Sequence, residues 1–335
     1  MSVRSKSRSA PQGQSPFTLT DKVPLAPGKF ADPQVTAKGE TRAVVAPEAM
    51  RTIWLNTGTL CNLACANCYI ESSPTNDALQ YLTLAEAERF LAEIRATTDP
   101  LLAHLPEIGL TGGEPFMNPD IIAMLQAALE AGFAVLVLTN AMAPMQRHKA
   151  ALEALRASHG DRLTLRVSID HYSQPVHEAE RGPRSWEPML AGLTWLSESG
   201  FALAVAGRHL AGESEADARR GYAALFAEHG VKVDAADPAA LVLFPEMDEE
   251  ADVPEITEAC WGILGQSPSA MMCATSRMVV HRKGEDEARV VACTLLPHDP
   301  QFDLGATLDA ALRPVPLNHP HCARFCVLGG ASCSQ

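Results

Sequence analysis

Between Thr52 and Phe244, short apolar runs alternate with longer stretches whose apolar residues recur at helical spacing, and no other feature limits the fold so tightly. Thr52 to Leu55, Glu107 to Leu110, Phe133 to Leu138, Leu163 to Ile169 and Phe201 to Ala206 read as strands, and a sixth is either Val231 to Val233 or Leu241 to Phe244. Phe133 to Leu138 is nearly all apolar, as expected of a parallel strand covered on both faces. A helix is predicted from Thr83, where Thr83-Leu84-Ala85-Glu86 has the form of a capping box and Leu84, Ala87, Leu91 and Ile94 share a face. A second follows Asn118-Pro119, taken as cap residue and first-turn proline, and ends at Gly132. Further helices are predicted from Pro144 to Ala157, Ser185 to Ser199 and Ser214 to His229. Such alternation predicts an α/β fold with a parallel sheet. Five or six strand–helix units can curl into a full or partial TIM-like barrel, and an open doubly wound sheet fits the same pattern.

The flanks differ in texture. Residues 1–20 are rich in Ser, Arg, Pro and Gln, with Arg4, Lys6 and Arg8 as a small basic patch, and are expected to be disordered. Residues 21–50 read as a strand or small hairpin, and 51–245 as the core. An acidic run (Glu246, Asp248, Glu249, Glu250, Asp252, Glu255, Glu258), read as a solvated linker, opens the remainder, 246–335. From Cys260 this part carries Cys260, Cys273, Cys293, Cys322, Cys326 and Cys333 and the hairpin-like turn Arg282-Lys283-Gly284-Glu285. It is expected to be a small α+β extension that holds metal.

A net charge of −13 without a clustered Lys/Arg footprint excludes nucleic acid as the expected partner. No apolar run reaches the ~18 residues of a membrane span, and no secretory signal is legible, so a cytoplasmic location without membrane contact is expected. The chain's 9 cysteines are then read as metal ligands rather than disulfides.

The chemistry-bearing residues fall at the carboxyl ends of the predicted strands, where parallel sheets and barrels hold their ligands. Cys61-Asn62-Leu63-Ala64-Cys65-Ala66-Asn67-Cys68-Tyr69 follows the first, and Thr111-Gly112-Gly113-Glu114-Pro115 the second. Thr139-Asn140 follows the third, Ser168 and Asp170 close the fourth, and Arg208 follows the fifth. An iron–sulfur cube normally takes four thiolates. The local loop offers Cys61, Cys65 and Cys68, which leaves one iron open to another ligand, as in a catalytic metal site. Gly112-Gly113 allows close backbone approach and positive φ, and Glu114 offers an acceptor to a cation. His171, Tyr172 and His177 read as rim residues, Met271 and Met272 as core, and Trp54, Trp186 and Trp195 as packing.

Cys61-x3-Cys65-x2-Cys68 combined with Gly112-Gly113-Glu114-Pro115 resembles the radical S-adenosylmethionine enzymes, over roughly residues 50 to 235. The resemblance implies a partial six-unit barrel and a [4Fe-4S] cluster held by Cys61, Cys65 and Cys68, whose open iron chelates S-adenosylmethionine. It also implies contacts to that cofactor from Gly112, Gly113, Glu114 and Pro115, from Thr139 and Asn140 on the same rim, from Ser168 and Asp170, and from Arg181. At Asn67 the family often has an aromatic residue beside the adenine. The implied reaction is reductive cleavage to a 5′-deoxyadenosyl radical, fed by a low-potential donor such as flavodoxin or ferredoxin. That radical abstracts hydrogen from a peptide, a protein side chain or a small metabolite. About fifty residues precede the core, so no separate leader-binding domain is expected, and a peptide is placed slightly ahead of a small molecule. Cys273-x10-Gly284 with a later Cys293 is similar to the auxiliary-cluster extensions called SPASM or twitch domains. A second [4Fe-4S] cluster on Cys273, Cys293, Cys322 and Cys326 is implied, although the gap from Gly284 to Cys293 is longer than in that pattern. A zinc site aided by His319 and His321 is the alternative. Rival readings of the whole chain are a non-catalytic iron–sulfur carrier or sensor and a zinc-stabilised structural protein.

Overall fold

In the core strands that carry Trp54, Leu136 and Met278, alternate side chains enter two different apolar clusters. Ile53, Leu55, Ile108, Leu110, Val135 and Val137 join the large core, while Trp54, Leu136, Met278, Val280 and Val291 form a second cluster on the opposite face. The computed structural model describes residues 26–210, 212–245 and 252–330. The tail 1–20 with Arg4, Lys6 and Arg8, the acidic Glu246, Asp248, Glu249 and Glu250, and Cys333 lie outside those residues.

In chain order the strands are β1 (Val44–Val45), β2 (Thr52–Asn56), β3 (Glu107–Thr111), β4 (Ala134–Thr139), β5 (Leu163–Ser168), β6 (Ala202–His209), β7 (Leu241–Pro245), β8 (Ser276–Val280), β9 (Arg289–Val291), β10 (Asp303–Gly305) and β11 (Val315–Pro316). The helices are α1 (Leu84–Ala96), α2 (Ile121–Glu130), α3 (Ala143–Gln146), α4 (Lys149–His159), α5 (Gln174–Arg181), α6 (Trp186–Glu198), α7 (Glu215–Glu228), α8 (Ala259–Leu264), α9 (Met272–Thr275) and α10 (Leu308–Ala311), followed by a π-helical turn, Cys322–Leu328.

Nine strands form one sheet in the order β10-β9-β8-β2-β3-β4-β5-β6-β7. From β8 through β7 every pairing is parallel, and β9 and β10 add antiparallel beyond β8. Strands β2 to β7 run in sequence order without the reversal that defines a doubly wound sheet. The six units are therefore wound in one direction, as in a TIM-like barrel, and the sheet does not close among the described residues. The sixth unit uses Leu241–Pro245, whereas Val231 to Val233 is irregular.

Local chemistry explains most boundaries. The capping box is present: the Thr83 side chain accepts from Glu86 N while Glu86 accepts from Thr83 N. Asn118 is not the cap of α2. The cap is Asp120, because the Asn118 amide donates to Thr57 O and Leu82 O and its Oδ1 accepts from Asp120 N. The helix expected over Pro144 to Ala157 is divided at Arg147 and His148, where the His148 ring lies 5.9 Å from that of Phe116. Helix α5 was not anticipated, because its one buried side chain is His177 and no apolar period marks it.

The cysteine-rich part continues the core sheet: β8 pairs with β2 from Thr52↔Ser276 to Leu55↔Val279. Residues 26–45 are tied to it as well. Strand β1 pairs with β11, and the fully buried Arg42 binds Glu255 and the carbonyls of Asp32 and Val35.

Candidate active site

Strand β2 ends at Asn56, and its side-chain oxygen accepts from Gly58 N at 2.9 Å, which starts the turn into the cysteine loop. That loop is pinned to the end of β3 by backbone hydrogen bonds: Gly113 N donates to Gly58 O (2.8 Å) and Glu114 N to Leu60 O (3.1 Å), and the Thr57 hydroxyl adds a bond to Thr111 O (2.9 Å). A Cβ on Gly113 would fall 2.2 Å from Leu60 O, and one on Gly112, at φ +138°, 2.6 Å from Gly58 O. The two glycines are thus required by contact with the loop, whatever they do for a ligand.

Glu114 is buried and fully engaged. Its carboxylate accepts from Thr139 Oγ1 (2.9 Å), Asn140 N (2.8 Å) and Phe116 N (3.2 Å), which joins the ends of β3 and β4. Burial pushes its pKa up to about 7 against the pull of those donors. Asn140 in turn donates to Asn62 Oδ1 inside the cysteine loop. Thr139 and Asn140 therefore hold the rim together, and Pro115 is buried at the start of the following turn.

The thiols lie in one electrostatic neighbourhood. Burial pushes Cys61 up to about 12, with further contributions from Glu114, Cys65 and Cys68. Cys65 is raised by burial and then drawn down by Arg181. Backbone amides point at two of the sulfurs, Leu63 N at Cys61 Sγ (3.4 Å) and Ser72 N at Cys68 Sγ (3.3 Å). Such N–H···S contacts favour thiolate, and a bound metal would supply the positive charge that lets buried thiols ionise. Among the described residues no three His, Cys, Asp or Glu are gathered as around a single ion. A four-iron cube is wider than an ion, and the donor set of a three-cysteine loop suits it.

Across the rim, Asp170 carries two guanidiniums. Arg208 Nε donates to Oδ1 at 3.1 Å, and Arg181 Nε stands 2.8 Å from Oδ2 as an ion pair with its N–H off the bonding line. Burial acts to raise the Asp170 pKa, but Arg181 and Arg208 outweigh it and hold the carboxyl below its usual range. Arg208 lies within β6 rather than after it, and also donates to Asn67 O (2.8 Å) and Tyr69 OH (3.2 Å). Asn67 Nδ2 donates to Glu180 Oε2 at 2.6 Å. Ser168, half-buried at the end of β5, makes no side-chain hydrogen bond among the described residues. Before Arg208, the even-numbered positions of β6 are Ala202, Ala204 and Ala206, so little volume fills the inner face there.

His171 stacks on Tyr172 at 4.0 Å, and Tyr172 donates to Glu213 at 2.6 Å. His177 is fully buried against Trp186 and is not a rim residue. Sequence reasoning missed Glu180, although Ser173, Pro175 and Gly182 carry the start and stop signals of the helix that bears it.

The second thiol set approaches the first loop. Tyr69, beside Cys68, meets Phe325 edge-on at 5.9 Å and His321 at 6.5 Å, both on the segment that carries Cys322 and Cys326. Burial raises Cys322 far above the usual thiol range, and the thiols of Cys293, Cys326 and Cys273 raise it further. Burial pushes Cys273 up to about 11. Cys260 Sγ instead accepts from Thr257 N at 3.4 Å and shares a second hydrogen bond with the Thr257 hydroxyl at the same distance. The neighbouring rings of His319 and His321 lie 4.6 Å apart. No helix among the described residues is long and apolar enough to cross a membrane.

Comparison with known proteins agrees with this geometry. An AdoMet-dependent heme synthase of Methanosarcina barkeri (strain Fusaro / DSM 804) is 33% identical over 142 residues, 42% of this chain and 37% of that protein. The antilisterial bacteriocin subtilosin biosynthesis protein AlbA of Bacillus subtilis (strain 168) is 30% identical over 148 residues, 44% of this chain and 30% of that protein. The matched stretch thus spans about a third of the length of these curated relatives. Streptococcus suis SuiB bound to S-adenosylmethionine shares the fold with a TM-score of 0.54 at 14% identity, over 77% of this chain and 64% of that one. SuiB bound to precursor peptide SuiA gives 0.54 and 14% over 79% and 64%. Residues 55–223 match the Radical SAM superfamily, and membership implies a [4Fe-4S] cluster and S-adenosylmethionine. With the three-cysteine loop, the glycine turn that pins it and half the chain matched, the chain belongs to the radical SAM superfamily.

Proposed function

We propose that this protein is a radical SAM enzyme with two [4Fe-4S] clusters that abstracts hydrogen from a peptide or protein substrate. The core, 51–245, would hold the first cluster on Cys61, Cys65 and Cys68, and the cysteine-rich part, 246–335, the second on Cys273, Cys293, Cys322 and Cys326. When bound, the first cluster with S-adenosylmethionine supplies the 5′-deoxyadenosyl radical. The chain's own residues bind and shield. Arg181, Arg208 and Asp170 form a buried charged wall beside Cys65, suited to a ligand that carries both a carboxylate and an ammonium group. Ser168 offers a free hydroxyl on the same rim, and the alanines of β6 leave room beside it. Tyr69 packs against Phe325 and His321 between the two thiol-bearing segments, where the three rings would help to exclude water.

The observation that carries the reading is the pair of thiol sets: three on one loop, and in the C-terminal part Cys322 with the thiols of Cys273, Cys293 and Cys326 within electrostatic reach of it. An electron carrier would not need the glycine turn and the charged wall. A peptide substrate is favoured by the likeness to SuiB, crystallised with its precursor peptide, and to AlbA. The heme synthase favours a small-molecule substrate as the second reading. A low-potential flavodoxin or ferredoxin would supply electrons.

Anaerobic reconstitution followed by iron and sulfide counting, and an assay for 5′-deoxyadenosine with dithionite, tests this. About eight irons per chain and formation of 5′-deoxyadenosine are expected. A fully reconstituted sample that forms none would overturn the enzymatic reading, and about four irons would remove the second cluster.

A further inference from the structure

Arg277, on β8, is 1% exposed, and every hydrogen bond it makes among the described residues goes to a neutral backbone carbonyl. Nε donates to Ala311 O at 2.9 Å, Nη1 to Ser276 O at 2.7 Å and Cys273 O at 2.5 Å, and Nη2 to Arg313 O at 3.1 Å. No carboxylate pairs with it among the described residues. This sets it apart from the other deeply buried arginines with a charged partner, Arg42 against Glu255 and Arg181 and Arg208 against Asp170. A guanidinium stays ionised at any pH a protein experiences, and burying an ion without a counter-ion is strongly unfavourable. The groups beside Arg277 that become anionic on binding metal are the thiols of Cys273 and Cys293. The like charge of Arg313 also acts on it, which makes a counter-ion more necessary.

We propose that Arg277 is the internal counter-charge of the second thiol site, holding an anionic four-thiolate centre on Cys273, Cys293, Cys322 and Cys326 and setting how readily that centre is reduced. This rests on the ligand set proposed above. One-electron reduction adds a negative charge to a centre that is already anionic. A fixed positive charge bonded to the Cys273 backbone stabilises the reduced form more than the oxidised one, so it raises the potential. Arg277 is a positioning and charge residue here and touches no substrate.

The test uses the full chain with Cys61, Cys65 and Cys68 replaced by alanine, so that one centre remains, reconstituted with iron and sulfide without oxygen. Dithionite titration followed by electron paramagnetic resonance compares Arg277 with Arg277→Gln and Arg277→Lys. With iron content kept at about four per chain, Arg277→Gln is expected to lower the reduced fraction at a fixed potential at least tenfold, about 59 mV for one electron. Arg277→Lys, which keeps the charge and loses the fork of hydrogen bonds, should shift it much less. Equal shifts in both variants, or no shift in Arg277→Gln at full iron content, would overturn the role of Arg277 and leave the ligand set standing. If Arg277→Gln does not retain iron, Arg277→Lys decides: full iron at a near-unchanged potential supports the charge, and loss of the centre overturns it. A parent protein without iron would instead overturn the ligand set itself, and the proposal with it.

Discussion

Asn67, between the second and third cysteines of the loop, is latched to Glu180 of α5. Its Nδ2 donates to Glu180 Oε2 at 2.6 Å, and Ala66 N donates to Glu180 O at 2.7 Å beside it. The family often has an aromatic ring at this position, so the asparagine exchanges a ring for a tether between loop and helix. A hydrogen bond to a charged acceptor contributes about 1.5–3 kcal/mol. Asn67→Ala and Asn67→Phe should therefore loosen the loop without unfolding the chain, since the Ala66 bond remains. The expected result is faster removal of iron from the reconstituted protein by a chelator, several-fold relative to the parent, and the same in Glu180→Ala. An unchanged rate in Asn67→Ala would show that the backbone bond suffices.

Five of the parallel strands, and the sixth as one of two alternatives, were legible in the sequence because their apolar runs are local signals. Ile53, Leu55, Val135 and Val137 can be read without knowing their partners. What could not be read was long-range: β8 beside β2, which makes the cysteine-rich part an extension of the core sheet, depends on residues more than two hundred positions apart. Helix α5 was hidden for the opposite reason, because its buried contact is a histidine and its exposed face is polar. The positions of Cys61, Cys65, Cys68, Gly112 and Gly113 were legible as a pattern. That Gly113 meets Leu60, and that Glu114 is engaged with Thr139 and Asn140, are facts of packing.

Asp170 balances Arg181 and Arg208 in a buried site, and removing one partner of such a cluster leaves uncompensated charge. Asp170→Asn should destabilise the chain by about 3–5 kcal/mol in urea unfolding at neutral pH. The parent carries a matching pH signature. The folded Asp170 pKa lies below its ordinary value of 3.8, so its contribution is present above that value and lost as the pH falls through the folded one. The gap between parent and Asp170→Asn should therefore narrow only below about pH 4, in paired unfolding curves.

Gly113 is the tightest point between the glycine turn and the cysteine loop. Gly113→Ala places a methyl group 2.2 Å from Leu60 O, backbone against backbone, which no rotamer can relieve. Cys61 is the next residue, so the displacement reaches the first thiol. Under the two-cluster proposal, Gly113→Ala should fall from about eight to about four irons per chain and form no 5′-deoxyadenosine. Retention of both clusters would mean that the loop can move aside. Gly132→Ala is the control: at φ +97° it strains the backbone locally, but its Cβ would meet nothing within 4 Å, so iron content should be unchanged.

Glu114 gives the chain a pH dependence of opposite sign to that of Asp170. Its folded pKa, about 7, stands above the ordinary 4.5, with burial as the main cause. The stability it contributes is complete below the unfolded value and is lost as the pH rises through the folded one. From about pH 4.5 to 7 the metal-free parent should therefore lose about 3 kcal/mol through this group. Glu114→Gln cannot ionise and lacks that slope. Its amide also faces the Asn140 N–H, a constant cost at every pH, because both Glu114 oxygens accept hydrogen bonds. Unfolding of both proteins at pH 5 and pH 8 should show the variant less stable at pH 5 and the gap smaller or reversed at pH 8. Parallel curves would mean that the three donors from Thr139, Asn140 and Phe116 hold Glu114 ionised throughout, and that the rim carries a permanent negative charge beside Cys61.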